Sequence, residues 1–237
     1  METVDLRWLV ASRWWHGALA TLIAASLAIR LLLIFAGGSD VDGLGLSGFA
    51  GIPIRLARLF SYFTVASNIA VAIVCVLLVV DPLRSGRRWE IARLNSLIAI
   101  SMTGLIFLIV LAPRVHPSGW ALVAAIGFHY VSPAATVLGW LLFGPRPRFG
   151  WRTLASAFIL PISWLVYIFV QGSFTRWYPY AFFNVTTIGL GRALVNAAFA
   201  VVVAIAVALI FKLIDARVPS RLPASRVRDA ETTNTGG

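Results

Sequence analysis

Charge is scarce in this sequence. Only 12% of the 237 residues are charged, against 59% that are hydrophobic, whereas soluble domains carry about a quarter charged residues. That shortage excludes an ordinary water-facing surface. Cysteine is nearly absent: Cys75 stands alone in an apolar run, so no intrachain disulfide exists and the residue reads as a small hydrophobe. The nine acidic residues, among them Asp40, Asp81, Glu90 and Asp215, fall in loops, tails or at the ends of apolar runs. A carboxylate relay or an Asp-based triad inside a membrane is thereby excluded. Of three histidines only His129 lies well inside an apolar run, His16 and His116 being at edges. Paired haem ligands and a His/Cys/carboxylate metal cluster are therefore missing, and neither metal nor cofactor is expected. No short h-region with a small-residue cleavage site stands at the N-terminus.

What is present is hydrophobicity in long blocks, with mean hydropathy +0.88. A bilayer core of about 30 Å takes about 20 apolar helical residues. Six stretches qualify, at about 15–35, 59–80, 91–111, 120–143, 154–171 and 191–211. The chain is thus predicted to be all-α, a polytopic six-helix transmembrane bundle over 1–218, with a polar, disordered tail over 219–237. Pro53 suits the first turn of a helix and allows the second one to start early. The net charge of +11 is distributed as a topology signal, which argues against nucleic acid as a partner. Fourteen basic residues flank the ends that share a side with both termini, including Arg84, Arg87, Arg88 and Arg93 between the second and third helices. Five (Arg55, Arg58, Arg114, Arg176 and Arg192) lie on the other side, and Arg30 lies within the first helix. The positive-inside rule puts both termini in the cytoplasm. Lys212 is the only lysine, an arginine bias that fits a GC-rich bacterial genome and hence a bacterial inner membrane. The Asn184-Val185-Thr186 sequon then has no consequence.

Polar side chains inside a span are costly and mark an interior site by default. Counting from the cytoplasmic ends at about 1.5 Å per residue puts Arg30, Thr64, Tyr167 and Asn196 at ~24 Å, His129 at ~21 Å and Asn68 at ~18 Å. Five helices thus place a polar group at one level in the outer half of the membrane. Each has an ordinary role too: Thr64 bonding its own helix, Asn68 joining helices, Arg30 snorkelling, Tyr167 in an interfacial belt. His129 is harder to assign to packing alone, since a buried imidazole needs partners.

Three segments carry a family resemblance: Phe60-Ser61-Tyr62-Phe63-Thr64-Val65-Ala66-Ser67-Asn68, His129-Tyr130-Val131-Ser132-Pro133, and Trp177-Tyr178-Pro179-Tyr180-Ala181-Phe182. Together with Leu141 to Pro145 they resemble the bacterial Pr6Pr six-span membrane proteins, over about Phe60 to Asp215. That family is more distantly similar to the androgen-induced gene 1 and androgen-dependent TFPI-regulating proteins, intramembrane threonine hydrolases of fatty acid esters. The resemblance implies Thr64 as nucleophile and His129 as base.

The expected function is hydrolysis of a lipid ester drawn from membrane lipids. Asn68 would orient His129 or donate to the oxyanion, Arg30 would hold a fatty-acid carboxylate, and Tyr167 and Asn196 would line the pocket. Trp177, Tyr178 and Tyr180 would sit at headgroup level and gate entry. Two other readings share these residues: a lipid or small-molecule binder or transporter, and an assembly protein whose polar layer locks helix packing. Transport is disfavoured by the lack of an inverted repeat.

Overall fold

The computed structural model describes residues 6–37, 48–146, 148–220 and 222. Among the described residues it is all helix and turn, without a strand, and six helices are long and apolar enough to cross a membrane. We label them α1 (Leu6–Phe35), α2 (Phe63–Val80), α3 (Arg87–Leu111), α4 (Gly119–Phe143), α5 (Trp151–Thr175) and α6 (Leu190–Arg217). The links 81–86 and 144–150 share a face with the start of α1 and the end of α6, which we call the terminal face. The described residues 36–37 and 48–62 and the links 112–118 and 176–189 lie at the far face.

Each of the six expected stretches contains a spanning helix, but several boundaries move. α1 begins nine residues before Trp15, and α3 begins at Arg87, so Arg93 is inside a span and buried rather than in a link. The second helix does start early, at Ile52 with Pro53 in its first turn, yet it is a separate element, Ile52–Ser61. Tyr62 adopts an extended conformation (φ −70°, ψ 131°) and α2 begins only at Phe63. Leu59 therefore belongs to the preceding helix. α5 is interrupted between Ser156 and Ile159, just before Pro161, which lacks the N–H a continuous helix would use. The carbonyl of Ala157 at that break accepts from Asn95 Nδ2 at 2.7 Å. Most of the expected tail lies outside the described residues. Its first residues are held: Arg146 donates to the carbonyls of Val218 and Pro219, and Leu222 is buried.

α3 is the most buried span. It packs against α2, α4, α6 and the first turns of α5, while α1 lies against α2 and α4. One apolar core, with Leu94, Ile98, Trp140, Ile168 and Phe211, joins α3 to α6; a second, with Leu19, Ile23, Val71, Ile100 and Phe128, seals α1 to α2, α3 and α4. In lipid, helices gain little from burying apolar surface against each other, so close approach at small residues matters more. Gly139 of α4 is such a place. A Cβ there would come 2.6 Å from Trp15 Nε1, and the same indole N–H donates to Ala135 O at 3.0 Å.

Gly139→Ala therefore must displace Trp15 or separate α1 from α4. The expected loss is about 1–3 kcal/mol, read as a lower thermal unfolding midpoint in detergent. An unchanged midpoint would mean that the two helices have room to spare.

Candidate functional site

The break at Tyr62 places the N-terminus of α2 within the protein. Val65 and Ala66 N–H donate to Tyr62 O at 3.0 and 3.2 Å, but the first N–H groups of a helix have no partner in their own helix. Thr64 N–H donates instead to Tyr180 Oη at 3.4 Å, with Phe63 N–H as a second backbone partner of the same oxygen. Tyr180 Oη also lies 3.4 Å from Thr64 Oγ1.

Thr64 Oγ1 is 3.3 Å from His129 Nε2. The other ring nitrogen, Nδ1, lies 3.0 Å from Ala125 O, one turn back on α4. A carbonyl only accepts, so Nδ1 carries the proton of the neutral ring and Nε2 presents its lone pair to Thr64. Tyr180 O–H to Thr64 O–H to His129 Nε2 is then a chain with one consistent direction. Phe107 stacks on the imidazole at 3.9 Å between centroids and 22° between planes, fixing its orientation.

Proline explains the position of His129. Pro133 has no N–H to return to the carbonyl of His129, four residues earlier. The helix widens into a π-turn over Gly127–Val131, in which Ser132 N–H reaches past Phe128 to Gly127 O. The carbonyl of Phe128 is left without a helical donor, and Asn68 Nδ2 supplies one at 3.2 Å. The same amide donates to Thr64 O at 2.8 Å. The 1-in-4 spacing of His129 and Pro133 and the 1-in-4 spacing of Thr64 and Asn68 thus form one construction: Asn68 joins the backbones that carry the two side chains. Both hydrogens of its amide go to carbonyls, and its Oδ1 is buried without a hydrogen-bond partner.

The other expected residues occupy the same level but not the same cluster. Tyr167 Oη lies 2.7 Å from Ser61 Oγ, whose proton goes to Ala57 O; with Trp164 Nε1 on Ser61 O, it ties α5 to the helix before α2. Asn196 Nδ2 donates to Phe182 O at 2.8 Å and pins the α5–α6 link to α6. Arg30 is half-buried and acts electrostatically on His129. Trp177 packs edge-on against Tyr62 and lies under Arg58. Tyr178 and Tyr180 are not gates at the surface: each is 8% exposed. Tyr178 fills the space left by Gly172, and Tyr180 stacks on Phe182 and meets Trp164 edge-on. Burial pushes the Tyr180 phenol above its usual range, and its hydrogen bonds to Thr64 and Phe63 offset this only in part. The phenol is therefore a protonated donor at neutral pH.

An apolar cavity of ≈ 610 Å³, counting its open mouth, adjoins this chain. Thr64 and Tyr180 line it, with Phe63, Ile106, Phe158, Phe183 and other apolar side chains from α2, α3, α5 and α6. His129 does not line it, so Thr64 stands between the imidazole and the cavity. Among the described residues no group of three or more His, Cys, Asp or Glu converges on a common point.

Set against protein-family models, curated proteins and solved structures, the chain matches none.

Asn68→Leu leaves Phe128 O without its donor. It is expected to lower stability by about 1–3 kcal/mol, measured by thermal or denaturant unfolding in micelles. The loss should exceed that of Asn196→Leu, whose carbonyl partner lies in a link at the far face. Equal effects would remove Asn68 from its place as the joint between α2 and α4.

Proposed function

We propose that the protein is an intramembrane hydrolase of lipid esters, with Thr64 as nucleophile and His129 as base. One observation carries the reading: a hydroxyl within 3.3 Å of an imidazole nitrogen whose opposite N–H is already given to a carbonyl, at the edge of an apolar cavity. The contact is slightly longer than the about 2.6–3.2 Å of a working nucleophile–base pair, as is common without substrate. The motif resemblance to the six-span Pr6Pr family, itself more distantly similar to intramembrane threonine hydrolases, points to the same two residues.

In the first step Thr64 Oγ1 attacks the ester carbonyl carbon as its proton passes to His129 Nε2. Negative charge gathers on the carbonyl oxygen. Donors already at hand are the N–H groups of Phe63 and Thr64, now occupied by Tyr180 Oη, and the Tyr180 O–H itself. Substrate oxygen entering this place would take over the backbone donors, at the positive end of α2. His129 then returns its proton to the leaving alkoxide as the tetrahedral intermediate collapses to an acyl-threonine and a free alcohol. Water, deprotonated by His129, cleaves the acyl-threonine to the acid and regenerates Thr64. No carboxylate supports the imidazolium; Ala125 O orients the ring but supplies no full charge, so turnover should be slow beside a Ser-His-Asp enzyme. The acyl chain of the substrate fits the apolar cavity. Arg30, a cation that bears electrostatically on His129, is the candidate to hold a substrate carboxylate.

Activity against a panel of long-chain fatty esters in nanodiscs tests the reading. Thr64→Ala and His129→Ala should each lower kcat/KM by about 10³-fold or more, and Tyr180→Phe by about 10–100-fold. A fluorophosphonate should label the wild type and not Thr64→Ala. Wild-type turnover in both alanine variants would overturn the dyad, and absence of labelling with retained ligand binding would favour a lipid binder.

For its setting we infer a bacterial inner membrane with both termini cytoplasmic, from the arginine distribution. This puts Thr64 and His129 in the outer half of the bilayer. Reporter fusions at both termini should be active only as cytoplasmic reporters; a periplasmic signal from either would reverse the orientation.

A further inference from the structure

A second cavity lies in the other half of the bundle, between α1, α2, α3 and α4, with ≈ 240 Å³ of empty space counting its open mouth. Its polar lining includes Arg93, Trp140, His16 and Cys75. Arg93 is 6% exposed and Trp140 is 1% exposed. The Arg93 guanidinium donates to one protein group, Gly144 O, from Nη2 at 3.2 Å, and rests 5.9 Å from the Trp89 ring. Its Nε and Nη1 are buried without a hydrogen-bond partner, and so is the indole Nε1 of Trp140. Each is a donor that cannot accept.

Among the described residues the charges that bear on Arg93 are Arg146 and Arg148, together with the thiol of Cys75; Asp215 bears on those two arginines and not on Arg93. Arg146 has its own donors committed to the carbonyls of Trp140, Leu141, Val218 and Pro219. His16 lies 2.7 Å through Nδ1 from Ser12 O, so that nitrogen is committed too. Ser96 and Thr136, which also line the cavity, give their protons to Arg93 O and Ser132 O. A buried guanidinium without a counter-ion is among the least tolerable groups in a fold. A water molecule would accept from two of the donors and leave the charge uncompensated. An anion would answer both deficits.

We propose that this cavity binds a compact, singly charged anion, a halide or a carboxylate group, held by Arg93 Nε and Nη1 and by the Trp140 indole N–H. Three donors suit one acceptor atom or one carboxylate, and suit the four oxygens of a tetrahedral phosphate less well. The site is separate from Thr64 and His129, and it stands whether or not those residues hydrolyse esters.

The test is the thermal unfolding midpoint of the purified full chain in detergent. Sodium chloride, bromide, acetate and octanoate are each titrated against sodium methanesulfonate at constant ionic strength. The expected result is a saturable rise with the halides or with the carboxylates, and whichever pair acts identifies the source. Arg93→Met should abolish the saturable part, and Trp140→Phe, which removes one N–H and keeps the ring, should weaken the anion about tenfold. A wild-type midpoint that is the same in all five salts overturns the proposal, as does an undiminished response in Arg93→Met. Should that variant fail to fold, Trp140→Phe decides alone: unchanged affinity overturns the assignment.

Discussion

The candidate site depends on a helix that begins in the wrong place for a simple span. Had the helix from Ile52 run unbroken into α2, the N–H groups of Phe63 and Thr64 would be bonded within it, and Tyr180 would have nothing to meet. The single extended residue, Tyr62, frees those donors at a point buried among aromatic rings. Unpaired backbone N–H groups are costly away from water, so something polar must come to them. The phenol that comes also touches Thr64 Oγ1, and a necessity of backbone pairing thereby becomes an arrangement around a hydroxyl.

The opposing wall is built by a comparable constraint. Pro133 withholds one N–H, α4 widens, and the spare carbonyl of Phe128 is taken by Asn68. α3 has its own π-turn at Phe107–Leu111, where Ala112 N–H reaches back five residues to Phe107 O. The two widened turns meet at the stacked pair of Phe107 and His129. Turns of this kind change which way a side chain faces without ending the helix.

Hydropathy and charge made the six spans legible, because lipid allows few other ways to satisfy a backbone. Depth along each helix is nearly linear in residue number, so Thr64 and His129 could be placed at one level from sequence. Rotation about the helix axis is not, which is why Tyr167 and Asn196 share that level yet bond to Ser61 and to Phe182. Tyr180 was visible only as one aromatic in a link, with no periodicity to say that it folds inward. The Pro133 spacing, read from sequence only as part of a family motif, also carries a structural signal: a proline four residues after a histidine predicts a disturbed turn at that histidine. Arg93 was counted as a flanking charge although it falls two residues inside the expected stretch 91–111; α3 starts a turn earlier, at Arg87, and buries it.

The link between α5 and α6 is made after the four other links between these spans. As the chain emerges, a five-helix intermediate already holds Thr64 and His129 but lacks Asn196, the anchor for the turn that carries Tyr180. The side of the cavity wall formed by Ala200, Val201 and Ala204 of α6 is missing from it as well. The pocket is therefore complete only once α6 has been made. A chain stalled or clipped before α6 would carry Thr64 in an unfinished setting, with the turn that bears Tyr180 lacking its anchor.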